Sequence, residues 1–362
     1  MIGSAATMTD LGEKEFLARL LPSLSVDARF VNGFGHDASV LDIGLERDLV
    51  MKIDRAATPI ASLNGWADYR VWGRIAVTAN CSDILAVGGE PKGFMLSLSI
   101  APDTPVSIAA EIIRGAAEEC ERCDVAFLGG DTKEAVGLNI VGSAIGTIPK
   151  GRHYDRLQGR PGDLLVLAGQ LGGFLGGYRQ CVSQDPSGEA LRYLCEPSAA
   201  WREARALSQI AGIRSACDLS DGLASSVRQV LAAGAGAVLD FAALPFHDLA
   251  MDNAAERGAD LIHYAFGVGD WGIVYAIAPE DKAQVEDLGL AGLAIAIVGT
   301  VVGEPGLFLK RGGLFEVSIF ENEHFRRRME DQGSYFDELE AGLTLRPIAE
   351  RHGMRDDLFR SR

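Results

Sequence analysis

With 362 residues and a net charge of −16, the chain lacks the basic surplus of a nucleic-acid binder, and its 48% hydrophobic content with 43 glycines excludes a disordered or fibrous protein. That length exceeds one ordinary core and suggests two domains, and the composition fits a well-packed α/β or α+β enzyme. Six cysteines in so long a chain do not read as a disulfide framework. Cys120 and Cys123 lie on a helical pattern with no second pair, which points to packing rather than to a metal. The N-terminus has no basic-then-apolar leader, and the apolar stretch 290–302 is too short and glycine-interrupted to span a bilayer. The expectation is a soluble, cytoplasmic protein without membrane or nucleic-acid partners.

In chain order, residues 1–8 read as a loose leader. Thr9 and Asp10 are placed to cap a helix reaching residue 24, with Phe16, Leu17, Leu20 and Leu21 on one face. Turns and strands follow: Gly35-His36-Asp37 precedes a strand at 38–41, and a strand at 49–53 ends at Asp54. A helix is expected over about 68–87, stopped by Gly88-Gly89 and Pro91, with Asn80 and Asp83 sharing a face three residues apart. Residues 94–100 alternate as a half-buried strand, and Pro105 opens a helix to 123. The apolar run 125–128 reads as a short buried strand that stops at Gly129-Gly130-Asp131-Thr132. A strand at 138–148 leads to the Pro-, Gly- and Arg-rich segment 149–163, taken as the domain boundary.

The second half opens with a strand at 164–168 and a glycine-rich segment, 169–177, that enters a helix. A helix at 198–211 and a strand at 213–218 come next; the strand runs into Asp218-Leu219-Ser220-Asp221-Gly222 ahead of a helix at 223–233. Further strands are expected at 237–241, 273–278 and 294–302. The domains are thus 1–150 and 151–320, followed by a charged, partly helical tail, 321–362, read as a docking or surface segment.

There is no G-x-x-x-x-G-K-[ST] loop, no H-E-x-x-H and no G-x-S-x-G elbow. A G-x-G-x-x-G at 267–272 precedes a strand instead of opening a helix, so the dinucleotide reading fails. What remains is a set of aspartates from both halves: Asp37, Asp54, Asp83, Asp131, Asp218 and Asp221, beside glycines or at the ends of apolar runs. Glycines let backbone N–H groups approach phosphate oxygens, and carboxylates supply the hard oxygens that Mg²⁺ prefers. Gathered carboxylates repel unless cations neutralise them, so the economical reading is Mg²⁺ bridging a nucleotide's phosphates. The plainer alternative is that each aspartate caps a turn.

Several motifs in order resemble the aminoimidazole ribonucleotide synthetase superfamily, and within it the thiamine-monophosphate kinases, over nearly the whole chain to about residue 320. Leu11-Gly12-Glu13-Lys14-Glu15-Phe16-Leu17 resembles the kinase's opening helix, and Gly35-His36-Asp37-Ala38 its Gly-Asp-Asp-Ala turn. Ala76-Val77-Thr78-Ala79-Asn80-Cys81-Ser82-Asp83 resembles its Ala-Val-Asn-Leu-Ser-Asp helix, with one residue more before the asparagine. Gly129-Gly130-Asp131-Thr132 and Asp218-Leu219-Ser220-Asp221-Gly222-Leu223 are kept in full, and Arg156 matches an arginine ahead of the Pro-Gly-Asp segment.

The resemblance implies an N-terminal α/β domain that dimerises through its sheet and a C-terminal α+β domain covering the nucleotide. It implies that Asp37, Asp54, Asp83, Asp131, Asp218 and Asp221 hold Mg²⁺, and that Gly130, Asp131, Thr132, Arg156 and Ser220 meet ATP. Six positions depart from the pattern. His36 replaces the first aspartate of a pair, and Lys52-Ile53 replace a Ser-Thr. The substrate histidine falls near Ala61, and Gly269 and Gly272 replace two glutamates, leaving Asp270 and Trp271 as acceptor-pocket candidates. The function expected is Mg²⁺- and ATP-dependent phosphotransfer to a small acceptor other than thiamine monophosphate, by a homodimer. The alternatives are an ATP-dependent ligase or dehydratase activating an amide or carboxyl oxygen, and a nucleotide-binding partner protein without turnover.

Overall fold

The computed structural model describes residues 7–184, 186–319 and 332–348. Two sheets organise it. The first holds β1 (Ser39–Leu41), β2 (Arg47–Arg55), β3 (Glu90–Ile100), β4 (Ala126–Glu134) and β5 (Asn139–Pro149) in the order β1-β2-β5-β3-β4. Only the β3/β4 pair is parallel, as its helical crossover α4 (Val106–Arg122) requires. Helices α3 (Arg70–Ala86) and α4 cover one face of this sheet, burying Trp72, Ile84, Phe94, Ile112 and Ile140. Their close approach is set by Gly73 and Gly115, where an added Cβ would lie 2.0 Å from a backbone oxygen of the other helix's segment.

The second sheet contains β6 (Leu164–Ala168), β7 (Ile213–Asp218), β8 (Gly236–Asp240), β9 (Ile273–Ile277), β10 (Ile295–Val302), β11 (Gly306–Lys310), β12 (Leu314–Ser318) and β13 (Thr344–Pro347). Its order is β13-β12-β11-β8-β10-β6-β9-β7. Central β6 and β9 are buried at every position, which is why they read as continuous apolar runs rather than alternating ones. The helices beyond α1 (Met8–Leu20) and α2 (Ile60–Leu63) in this half are α5 (Gly173–Ser183), α6 (Gly188–Cys195), α7 (Trp201–Leu207), α8 (Leu223–Val230), α9 (Asp248–Arg257), α10 (Ile262–Ala265), α11 (Lys282–Leu290) and α12 (Gln332–Gly342). Among the described residues no helix is long and apolar enough to cross a membrane.

Three sequence expectations are corrected. Helix α1 is capped by Thr7, not Thr9; Asp10 closes the capping box, and left-handed Gly12 (φ 71°) breaks the helix before its end at Leu20. The run 125–128 is not a short buried strand ended by glycines. β4 continues through Gly129, Gly130, Asp131 and Thr132 to Glu134 as a mostly exposed edge. One extra residue is absorbed between Phe94↔Phe127 and Leu96↔Gly130, a bulge that left-handed Gly129 (φ 93°) permits. The expected tail is not wholly peripheral: β13 pairs with β12, and Phe336 of α12 is buried against Tyr178 and Phe174 of α5. The remainder of 320–362 lies outside the described residues.

Candidate active site

Strand alternation builds one wall. In β2, Asp48, Val50, Lys52 and Asp54 point toward the helices while Met51 and Ile53 point away, so Lys52 and Asp54 meet the C-terminal half of α3. Asp83 of α3 is buried there, and Lys52 Nζ lies 2.8 Å from Asp83 Oδ2 and 3.9 Å from Asp54 Oδ2. Asn80 lies one turn earlier on α3. It is fully buried and donates to the Ala76 carbonyl at 2.8 Å, with Gly142 of β5 packed on its amide.

The turn 33–38 and the segment after β5 supply the next layer. Asp37 is buried and paired with the Arg156 guanidinium through Nη2 and, at 3.3 Å, through Nε. The Arg156 backbone N–H donates to His36 Nδ1 at 3.0 Å, which ties the two segments together. From the second sheet, β7 ends on Cys217 and Asp218, both buried; Ser220 Oγ donates to Asp218 Oδ1 at 3.1 Å. One ligand atom each from Asp37, Cys217 and Asp218 lies within 4.8 Å of the others.

Electrostatically this seam is short of positive charge. Burial, then the neighbouring Asp37, pushes Asp218 up to about 7, and burial with Asp218 close by raises Asp83 well above the usual carboxylate range. Lys52 stays protonated: burial opposes its charge, but Asp83, Asp54 and Asp218 outweigh that and raise its pKa. Burial keeps the Cys217 thiol protonated, so sulfur is not the donor a hard cation would find. The crowded carboxylate oxygens fit a divalent cation such as Mg²⁺.

The structure therefore gathers Asp37, Asp54, Asp83, Asp218, Arg156 and Ser220. Asp131, Thr132 and Asp221 are exposed and take no part in the pairs just described; Gly130 packs so tightly on β3 that a Cβ would lie 1.8 Å from Leu96 O. Asp221 faces Tyr335 of α12, whose phenol burial and that carboxylate push up to about 12. Asp270 accepts from the backbone N–H groups of Gly172 at 2.6 Å and Phe174 at 2.9 Å, capping α5, with Tyr193 Oη at 3.3 Å. Trp271 sits in the left-handed region (φ 49°), unusual for a bulky residue. Lys52 and His36 were visible in the sequence only as departures. The signal for Lys52 was its spacing of two from Asp54, which puts both on one face of a strand.

Residues 35–148 match the AIR synthase related protein N-terminal domain and 160–312 the C-terminal domain. The thiamine-monophosphate kinase of Caulobacter vibrioides is 30% identical over 311 residues, covering 83% of this chain and 85% of its own. That of Rhodopirellula baltica is 29% identical over 313 residues, covering 82% and 91%. The solved structure AaThiL complexed with AMPPCP and TMP superposes with a TM-score of 0.72 at 20% identity, covering 85% of this chain and 96% of that one. The chain belongs to the AIR synthase related family, in its thiamine-monophosphate kinase-like group of ATP-dependent kinases.

Proposed function

We propose that the protein uses Mg²⁺ and ATP to phosphorylate a small-molecule acceptor other than thiamine monophosphate. The observation that carries the phosphotransfer half is the seam between the two sheets, where buried Asp37, Asp83 and Asp218 meet Lys52 and Arg156. A Mg²⁺ ion held there would supply positive charge to offset the phosphates. Asp218, beside Asp37 and with exposed Asp131 and Asp221, is where it would be held, while Asp54 and Asp83 face Lys52. Arg156 adds a fixed positive charge beside the phosphates, while Gly130 and Thr132 on β4 and Ser220 after β7 offer polar groups to ATP. Such a site works by positioning and charge stabilisation.

The acceptor half rests on what the 267–272 segment cannot present. A side chain on Gly269 would put its Cβ 2.7 Å from the Phe174 ring, and one on Gly272 2.7 Å from the Ala168 carbonyl and from Leu219. Ala61 is fully buried, and the Asp270 carboxylate is already engaged by the start of α5. Trp271, partly exposed and held in a left-handed conformation, is the remaining aromatic surface for an acceptor. Incubating the purified protein with ATP, Mg²⁺, thiamine monophosphate and a panel of small alcohols and phosphate esters, with product analysis, decides between outcomes. A stable phosphorylated product from the panel supports the proposal, and efficient thiamine diphosphate formation overturns the acceptor half. ADP and phosphate with a condensed product would point to a ligase.

The open face of the first sheet supports a homodimer assembled there. Met51, Ile53 and Met95 are exposed on it, and edge strand β4 leaves Leu128 half exposed. A monomeric mass by light scattering at micromolar concentration would refute this.

A further inference from the structure

Two positions in the seam are already filled by charge: Arg156 occupies Asp37, and Lys52 stands between Asp83 and Asp54, whereas Asp218 accepts from the neutral Ser220 hydroxyl. With all four carboxylates (Asp37, Asp54, Asp83, Asp218) ionised, the two cations would leave two negative charges, the charge of one divalent ion. The shortage centres on Asp218, which faces Asp37 and is 3% exposed. Asp83, by contrast, has an ammonium at 2.8 Å.

A Mg²⁺ ion binds carboxylate oxygen at about 2.1 Å, so an ion on Asp83 Oδ2 would sit within about 5 Å of Lys52 Nζ, with little water between. Two cations that close in a buried setting repel strongly. Lys52 has no easy retreat: its stem lies on the helix-facing side of β2 between Val50 and Asp54, and withdrawing it would leave Asp83 buried without a partner.

We propose that Lys52 is a resident cation that takes the place of one divalent ion, closing the Asp83–Asp54 pair to metal and leaving metal to bind at Asp218, beside the Asp37–Arg156 pair. This rests on the reading of the seam as a Mg²⁺ site, and it assigns Asp54 and Asp83 a different part from the one the family resemblance implies. Lys52 is then a positioning residue that holds two carboxylates in place at every stage of turnover, where a metal would come and go with nucleotide.

The test counts metal on the nucleotide-free full chain, using Mn²⁺ as the probe and electron paramagnetic resonance to measure the free ion. Lys52→Thr should gain one Mn²⁺ per chain relative to wild type, and adding Asp83→Asn to that variant should remove the gain. Asp83→Asn alone should leave the wild-type count unchanged, and this arm stands even where Lys52→Thr fails to fold. An unchanged count in folded Lys52→Thr, or a site lost in Asp83→Asn alone, overturns the assignment. Because neither ATP nor an acceptor is present, the result is independent of turnover. A protein that never phosphorylates anything can still pass, and a working kinase can fail.

Discussion

Truncating Phe336 to alanine asks whether the helix near the C-terminus is part of the site's architecture. Phe336 is 4% exposed, with its ring centroid 4.8 Å from Tyr178, 5.4 Å from Tyr335 and 6.2 Å from Phe174. Deleting a buried phenyl costs about 3–5 kcal/mol. The other tethers are weaker: Glu340 pairs with Arg179 at 2.5 Å and Arg257 at 3.5 Å, and partly exposed pairs of this kind contribute roughly 0–1 kcal/mol each. An 11-residue helix does not hold itself in water. Phe336→Ala should therefore undock α12 locally before the sheets unfold. Hydrogen exchange followed by mass spectrometry should show protection lost over 332–342 while β6 and β9 stay protected. Because Tyr335 lies beside Asp221, one of the residues that would hold Mg²⁺, KM for ATP should rise more than kcat falls. Retained protection in α12 together with an unchanged KM would refute the reasoning.

Arg156→Met should cost about 3–5 kcal/mol in chemical denaturation, because it strands the buried Asp37 carboxylate, and should abolish ATP binding measured by calorimetry; wild-type stability would contradict the pairing. Asp270 titrates at about 6 in the folded chain, above its unfolded value of 3.8, because burial outweighs the N–H groups that it accepts. Its contribution to stability is accordingly complete below pH 4 and falls by about 3 kcal/mol as pH rises to about 6. Unfolding free energies measured at pH 4 and 6.5 should show that slope in wild type and a shallower one in Asp270→Asn.

What the sequence disclosed follows from how local each signal is. The strands at 164–168 and 213–218 were legible to the residue because they are fully buried or bounded by Gly and Asp. The helix stopped by Gly88-Gly89 was legible for the same reason: Gly88 has a φ of 82° that other residues resist. β4 was misread because its glycines looked like a stop; its continuation depends on pairing with β3, an element some thirty residues earlier. β11, β12 and β13 passed unnoticed, since strands of four or five residues are too short to carry a strong period.

The site divides along the same line. Asp37, Asp54, Asp83 and Asp218 could be named because each ends or interrupts a local pattern, whereas their partners are set by tertiary contacts: Arg156 lies 119 residues from Asp37, and Lys52 finds Asp83 only once α3 packs on β2. Motif resemblance treats the aspartates as a uniform set awaiting metal. The packed chain makes them unequal. Arg156 satisfies Asp37 and Lys52 satisfies Asp83, while Asp218, to which among the described residues a serine hydroxyl donates, retains the unmet demand for charge. A charge pattern in sequence therefore shows that cations are required; the side-chain pairing decides which of them the protein supplies itself.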